Sequence, residues 1–287
     1  MINQTYLEVQ GWASSFLEIN KHEPEIAYHL MLDMADFTVS DWVLNRKQDM
    51  PDDLKQAYQA AIERVVLENY PWQYIVGKAW FYGEPFKVTP ATLIPRQETE
   101  DLIAYVANAI KKGEIASDAR VLDIGTGTGI IAITLKKLFP LLQVTATDIS
   151  PDALQVARDN AEEKQVEIDF RLGDLFDPVQ GQQFDLVISN PPYIGQNETM
   201  VMSKSTVLFE PDVALFAEEG GYQIYWRIFD QLHDYLEKPG YFIGEFGYQQ
   251  GKALLAGAKD RLQFSDAEVA IIQDYTGNDR ILVVHCK

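Results

Sequence analysis

An open α/β sheet with helices on both faces, preceded by a small helical bundle, is the fold that this 287-residue sequence predicts. Three observations predict it. Beyond residue 97, short apolar runs of strand length alternate with helical periodicities, the pattern of crossover units. Before residue 72, apolar positions recur at helical spacing. Between the first strand of that alternation and the helix that follows it stands a glycine-rich turn, which in such sheets marks the ligand crevice. The boundaries we draw are a helical domain over 1–72, a β-hairpin linker over 73–96 and an α/β domain over 97–287.

The elements follow in order. Ile2, Tyr6, Val9, Trp12, Ala13, Phe16 and Leu17 form one helical stripe, and Ile26, His29, Leu30, Leu32 and Met34 a second. Trp42 and Leu44 extend the pattern, then Leu54, Tyr58, Ala61, Ile62, Val65 and Val66. Pro51-Asp52-Asp53 suits a helix start, with proline early and acids in the first turn. Pro71 ends the bundle. Trp80-Phe81-Tyr82 and Phe86-Lys87-Val88 flank Gly83-Glu84-Pro85 as a hairpin. Strands are expected at 120–124, 143–147, 166–172, 184–189, 241–246, 268–272 and 281–285. Helices are expected at 97–112, 130–138, 151–163, 221–236 and 249–258. The helix at 151 is opened by Ser150 as cap and Pro151 as first residue.

Charge and cysteine content narrow the function. The chain has 24 Lys+Arg against 43 Asp+Glu, a formal net charge of −19. The first 75 residues hold 5 of those basic and 12 of those acidic residues, so no acidic tail accounts for the imbalance. Such a field repels phosphate backbones and argues against a polybasic membrane anchor. Cys286 is the single cysteine, which excludes an internal disulfide and a cysteine-cluster metal site. It reads as a packed thiol at the end of a strand. The four histidines, His22, His29, His233 and His285, are scattered, and no metal site is expected. The start Met1-Ile2-Asn3-Gln4 does not read as a signal peptide, and no apolar run reaches membrane-spanning length. The expectation is a cytoplasmic enzyme or binding protein.

Two motifs carry the chemistry. Asp123-Ile124-Gly125-Thr126-Gly127-Thr128-Gly129 follows a strand and opens a helix. Glycines there let the backbone approach a ligand, and the helix start offers free N–H groups. Asp148, 19 positions beyond Gly129, ends the next strand, where an acid accepts hydrogen bonds from ribose hydroxyls. Gly127-x-Gly129-x-x-Ala132 satisfies the relaxed dinucleotide fingerprint. The acid-preceded form, however, resembles the S-adenosylmethionine loop of class I methyltransferases. In those enzymes an acid and an apolar side chain, here Asp174 and Leu175, hold the adenine ring.

The fourth strand runs into Asn190-Pro191-Pro192-Tyr193. A proline pair alone is a strand breaker, but that leaves the preceding Asn and the following aromatic unexplained. A planar –NH2 is a weak nucleophile because its lone pair is delocalised. The Asn190 side-chain oxygen and the Pro191 carbonyl each accept one N–H, turning the lone pair toward a methyl donor. Tyr193 offers a π face to the planar group and to a sulfonium. The rate then comes from positioning and electrostatics.

With these motifs and Leu93-Ile94-Pro95-Arg96-Gln97-Glu98-Thr99-Glu100, Glu210-Pro211, Glu245-Phe246-Gly247 and Gly277-Asn278-Asp279-Arg280, the chain resembles the PrmC/HemK family of release factor glutamine N5-methyltransferases along nearly its whole length. The resemblance implies a class I S-adenosylmethionine-dependent methyltransferase (Rossmann-like) domain with an N-terminal helical bundle that contacts class 1 peptide chain release factors. It implies the glutamine of their Gly-Gly-Gln tripeptide as substrate. Gly125, Thr126, Gly127, Thr128, Gly129, Asp148, Asp174, Leu175 and Asn190 would hold S-adenosylmethionine, with S-adenosylhomocysteine as product. Asn190, Pro191, Pro192 and Tyr193 would hold the glutamine amide. Gln97 stands where the family usually has a second proline, Leu175 where it often has an aromatic, and 196–208 departs from its usual run. An N6-adenine methyltransferase of nucleic acid uses the same strand-end logic, but calls for a basic groove that the acidic N-terminal segment does not promise. A nicotinamide-dependent oxidoreductase leaves Asn190 to Tyr193 without a role, and a catalytically silent scaffold leaves the whole motif without one.

Overall fold

The computed structural model describes residues 4–287. Ile2, counted above into the first helical stripe, and the rest of the Met1–Asn3 start lie outside the described residues. The chain forms two compact units: Met1–Lys78 together with Ser203–Phe209, and Ala79–Met202 together with Glu210–Lys287.

The first unit is helical: α1 (Tyr6–Ile19), α2 (Ile26–Ala35), α3 (Val39–Asn45), α4 (Asp52–Glu68) and α5 (Trp72–Val76). Thr5 and Thr38 open α1 and α3 with reciprocal capping boxes to Glu8 and Asp41, satisfying donors that the first turn leaves free. Asn69, in the left-handed conformation, ends α4. The α4 stripe packs as its spacing predicts, with Tyr58, Ala61, Ile62, Val65 and Val66 buried. The α2 stripe is rotated from expectation: Ala27, Leu30 and Met31 are buried, while His29 faces out and stacks on Trp72. The Tyr58 hydroxyl, buried in this core, donates to the Ala27 carbonyl at 2.7 Å. Trp12 and Leu44, read as core, are exposed.

Trp72–Val76 is helical, so the hairpin narrows to β1 (Lys78–Phe81) and β2 (Glu84–Lys87). Its turn is Tyr82-Gly83, both at positive φ, the geometry that matches strand twist in a two-residue connection. Pro85 therefore lies in the strand rather than in the turn.

The second unit contains α6 (Glu98–Lys111), β3 (Arg120–Ile124), α7 (Ile130–Leu138), β4 (Gln143–Asp148), α8 (Pro151–Glu163), β5 (Asp169–Leu172) and β6 (Phe184–Ser189). Short helices follow: α9 (Lys204–Phe209), which belongs to the first unit, α10 (Asp212–Leu215) and the distorted turn α11 (Glu218–Gly221). Then come α12 (Gln223–Tyr235), β7 (Leu236–Glu245), α13 (Gly251–Arg261), β8 (Glu268–Gln273) and β9 (Asp279–Cys286). The seven-stranded sheet has the order β5-β4-β3-β6-β7-β9-β8. Strands β3 to β7 are parallel, and β9 runs antiparallel between β7 and β8. β7 starts five residues earlier than its apolar run, because Leu236 pairs with Phe184 ahead of an irregularity.

Successive residues of each strand feed opposite cores. Val121, Val144, Leu186 and Ile243 pack with α6 and α7 on one face, while Leu122, Val187 and Phe242 pack with α12 and α13 on the other. The second core is rich in aromatics, where Phe229 is edge-on to both Tyr225 and Phe242. Cys286 is buried at the end of β9, and burial pushes its thiol up to about 11.

Phe229→Ala should destabilise the protein by about 3–5 kcal/mol through a cavity between α12 and the sheet. Urea unfolding measures it, and a loss below about 1 kcal/mol would show that this cluster does not close the core.

Candidate functional site

The sheet changes winding direction between β3 and β6, and a crevice opens at their carboxyl ends. The register fixes what meets there. Ile124 pairs with Ser189, and the Ser189 hydroxyl donates to the Ile124 carbonyl at 2.8 Å. One residue further on, the chains become Gly125 and Asn190, so glycine turn and Asn-Pro-Pro segment emerge side by side.

The turn is held from beneath. Gly125 and Thr126 donate their N–H groups to the Thr147 carbonyl at 2.9 and 3.0 Å. Gly125, Gly127 and Gly129 all have positive φ, so side chains there would strain the backbone. At Gly129 a Cβ would also sit 2.8 Å from Ile133 and 3.2 Å from Ala157, and this glycine lets the turn pack closely against helices. Asp123 is fully buried behind the turn, its Oδ2 accepting from the Thr126 hydroxyl at 2.6 Å and its Oδ1 without a partner. Burial pushes its carboxyl up to about 7 against the pull of Thr126. Asp148 accepts from the Gly127 N–H at 2.8 Å and the Ser150 N–H at 2.9 Å, and burial raises its carboxyl above the usual range.

Gly125, Thr126, Gly127, Thr128, Asp148, Asp174, Leu175, Asn190, Pro191 and Pro192 line this one cleft. Gly129 and Tyr193 do not line it: Gly129 packs behind the turn, and the Tyr193 hydroxyl donates to Glu245 Oε1 at 3.3 Å. Leu175, at positive φ, has its carbonyl held by the Thr147 hydroxyl. Asp174 is bound by Arg227 at 2.6 Å, so a cation from α12 reaches the same wall.

Sequence reasoning assigned no role to four further groups. The Asn190 side-chain NH2 donates to Thr99 Oγ1 at 3.1 Å, and Thr99 donates to Glu245 Oε2 at 2.7 Å. Glu245 is buried, which pushes its carboxyl up to about 7, although Thr99 and the Arg280 charge favour the anion. On the rim, buried Glu210 accepts from the Ile94 N–H at 3.0 Å and pairs with Arg96 at 2.5 Å. The signal was present: Arg96, Thr99, Glu210 and Glu245 all lie in segments singled out for family resemblance. Among the described residues, no cluster of three or more His, Cys, Asp or Glu side chains is placed to hold a metal ion. No described helix is long and apolar enough to cross a membrane.

Solved structures share this architecture. The catalytic domain of hMettl16 in complex with MAT2A 3'UTR hairpin 1 matches with a TM-score of 0.55 at 17% identity, over 92% of this chain and 91% of that one. A methyltransferase from Pyrococcus furiosus matches at 0.52 and 18%, over 79% and 96%. These likenesses concern the fold, and the fold is that of class I methyltransferases. The methyltransferase small domain family matches residues 104–242, and the PrmC N-terminal domain family residues 8–77. The release factor glutamine methyltransferase of Staphylococcus aureus is 42% identical over 255 residues, 88% of this chain and 89% of that protein. Its namesake from Enterococcus faecalis is 37% identical over 97% of this chain and 98% of its own length. The chain belongs to the release factor glutamine methyltransferase family.

The raised carboxyls set a pH dependence of stability. Asp123 and Glu245 keep their protons in the folded chain at pH values where the unfolded chain has lost them. Their contribution is complete below about pH 4 and is lost as pH rises toward about 7. The urea-unfolding midpoint of the free protein should therefore fall between about pH 5 and about pH 8, and less steeply in Glu245→Gln. A midpoint that rises across that range would contradict the protonated interior.

Proposed function

We propose that this chain transfers a methyl group from S-adenosylmethionine to the N5 amide nitrogen of the glutamine in the Gly-Gly-Gln motif of class 1 peptide chain release factors, in the cytoplasm, and so modulates translation termination. The register that sets Asn190 against the glycine turn carries the chemical half of this reading. The names of relatives that match nearly end to end support the substrate.

The residues present suit the methyl donor. Gly125 and Gly127 bring bare backbone to the cleft. Ile149, Leu175 and Ile224 line it together with Asp148 and Asp174, the mixture that a nucleoside needs for its ring and its hydroxyls. When bound, the donor supplies an electrophilic methyl on a sulfonium. On the acceptor side, Asn190 Oδ1 and the Pro191 carbonyl each take one N–H of the glutamine amide, and Pro192 stiffens the strand end. Tyr193 braces this segment from behind through its hydroxyl on Glu245. The N–C bond forms as the S–C bond breaks, its electron pair stays on sulfur, and the nitrogen sheds a proton. The methylated amide is acidic enough to lose it to water, so no dedicated base is assigned.

The N-terminal helical unit, by the same reading, docks the release factor, and no nucleic acid is required. The formal net charge of −19 agrees with a protein substrate rather than a phosphate backbone. Labelled methyl donor offered with a release factor and, separately, with DNA distinguishes the two. Label is expected on the release factor, and label on DNA alone would overturn the reading. Asn190→Ala should lower turnover by about 100-fold or more while leaving donor affinity nearly intact, in line with losing an aligned electrostatic contact. Asp148→Ala should weaken donor binding by about 1–3 kcal/mol in calorimetry, and unchanged affinity would remove Asp148 from the site.

A further inference from the structure

An asparagine side chain can present either end of its amide. At this site only one end is useful: the reacting amide has N–H groups to be accepted, so Asn190 must offer Oδ1. What decides the orientation lies beyond Asn190 itself. Its neighbour Thr99 Oγ1, at 3.1 Å, can donate one hydrogen bond and accept others. The single Thr99 hydrogen goes to Glu245 Oε2 at 2.7 Å, since a carboxylate can only accept. Thr99 is thereby left as an acceptor toward Asn190, and the group that faces it has to be the NH2. The second carboxylate oxygen, Oε1, accepts from the Tyr193 hydroxyl at 3.3 Å. One buried carboxylate thus orders both ends of the Asn190–Tyr193 segment.

We propose that Glu245 is a positioning residue for methyl transfer: as a carboxylate it orients Thr99, and through Thr99 it makes Asn190 present Oδ1 rather than NH2 to the amide being methylated. The inference rests on the reading of Asn190 given above. A protonated Glu245 removes the constraint, because an O–H on Oε2 can donate to Thr99, freeing the Thr99 hydrogen to hold Asn190 by its oxygen with the NH2 turned to the substrate.

The surroundings make that protonation accessible. Glu245 ends β7 inside the unit, fully shielded from water. The Glu98 charge at the start of α6 disfavours the anion. Arg280 on β9 favours it, but its guanidinium is shared with Asp274 at 3.1 Å. Tyr193, behind the Asn-Pro-Pro segment, and Tyr225 on α12 are the remaining ionisable groups that sense Glu245, and Tyr225 donates to its backbone carbonyl at 2.6 Å. Burial of both tyrosines keeps them neutral, so Glu245 is the group of this cluster that titrates near neutrality.

The test uses the full-length enzyme with labelled methyl donor and intact release factor. Glu245→Gln should lower kcat by about tenfold or more, with KM for the methyl donor changed less than about twofold, as expected for an interaction that matters in the transition state. Thr99→Val should do the same, and Thr99→Ser should retain near wild-type kcat because it keeps the hydroxyl. In the wild type kcat should rise with pH to a plateau above about 7, and this limb should vanish in Glu245→Gln. Combined with Asn190→Ala, Glu245→Gln should add little further loss, since both act through one amide. A Glu245→Gln enzyme with wild-type kcat and an unchanged pH limb would overturn the proposal, and so would equal activity in Thr99→Val and Thr99→Ser. Full losses that simply multiply in the double variant would overturn it too. Undiminished turnover in Asn190→Ala alone would instead overturn the reading on which it rests. The two Thr99 variants keep the comparison decisive should Glu245→Gln fail to fold.

Discussion

The pairing of β3 with β6 is the constraint from which the site follows. Ile124 opposite Ser189 is one rung of a parallel ladder, and it is the last rung before both chains leave the sheet. A one-residue slip would turn Gly125 and Asn190 to opposite faces of the sheet. The register is well defended. Val121 and Leu122, like Leu186 and Val187, point into cores on opposite sides, so a slip would move every one of them to the wrong face. The Ser189 hydroxyl adds a further bond across the rung. Hydrophobic packing far below the crevice thus fixes the distance between the glycine turn and the Asn-Pro-Pro segment.

Most of the α/β unit was legible because strand length and apolar content suffice when both faces are buried. β3, α7, α8 and β6 run where their periodicity places them. Other parts were not legible, for identifiable reasons. In α2 several stripes are apolar, and only packing against α1 and α4 selects Ala27, Leu30 and Met31. The segment after Tyr193 breaks into short helices that are too brief to show a period, and α9 packs with the other unit. At the site, the glycine turn, Asp148 and Asn190 announce themselves through local spacing. Thr99 and Glu245 do not: one looks like a residue of a helix's first turn and the other like a strand end, and 146 residues separate them. Their meeting is a product of tertiary structure alone.

The formal charge takes on a different meaning once the acids are located. Asp123, Glu210, Glu245 and Asp274 are buried, so a part of the acidity is internal and each such group needs donors. Asp274 obtains them from Thr276, Asn278 and Arg280 and is held down to about 2, although burial opposes this. Glu210 obtains them from Ile94 and Arg96. Asp123 and Glu245 are less well supplied, and burial raises both carboxyls to about 7. Asp274 is thus a fixed anion that shapes its loop, whereas Asp123 and Glu245 beside the crevice titrate near neutrality.

The excursion of α9 has a consequence for how the chain can be cut. Residues 203–209 leave the α/β unit after the Asn-Pro-Pro-Tyr segment, join the helical unit, where Phe209 meets Tyr70 edge-on at 4.8 Å, and return at Glu210. The covalent chain therefore passes between the units at three places, near 78, 202 and 209, and no single scission separates them. Severing the chain at 78 alone leaves α9 in the catalytic fragment with its aromatic partner gone. It also merges two short connections into one longer loop, whose closure costs more entropy. That loop would be bounded at one end by the Asn190–Tyr193 segment and at the other by Glu210, whose carboxylate accepts from Ile94 and Arg96.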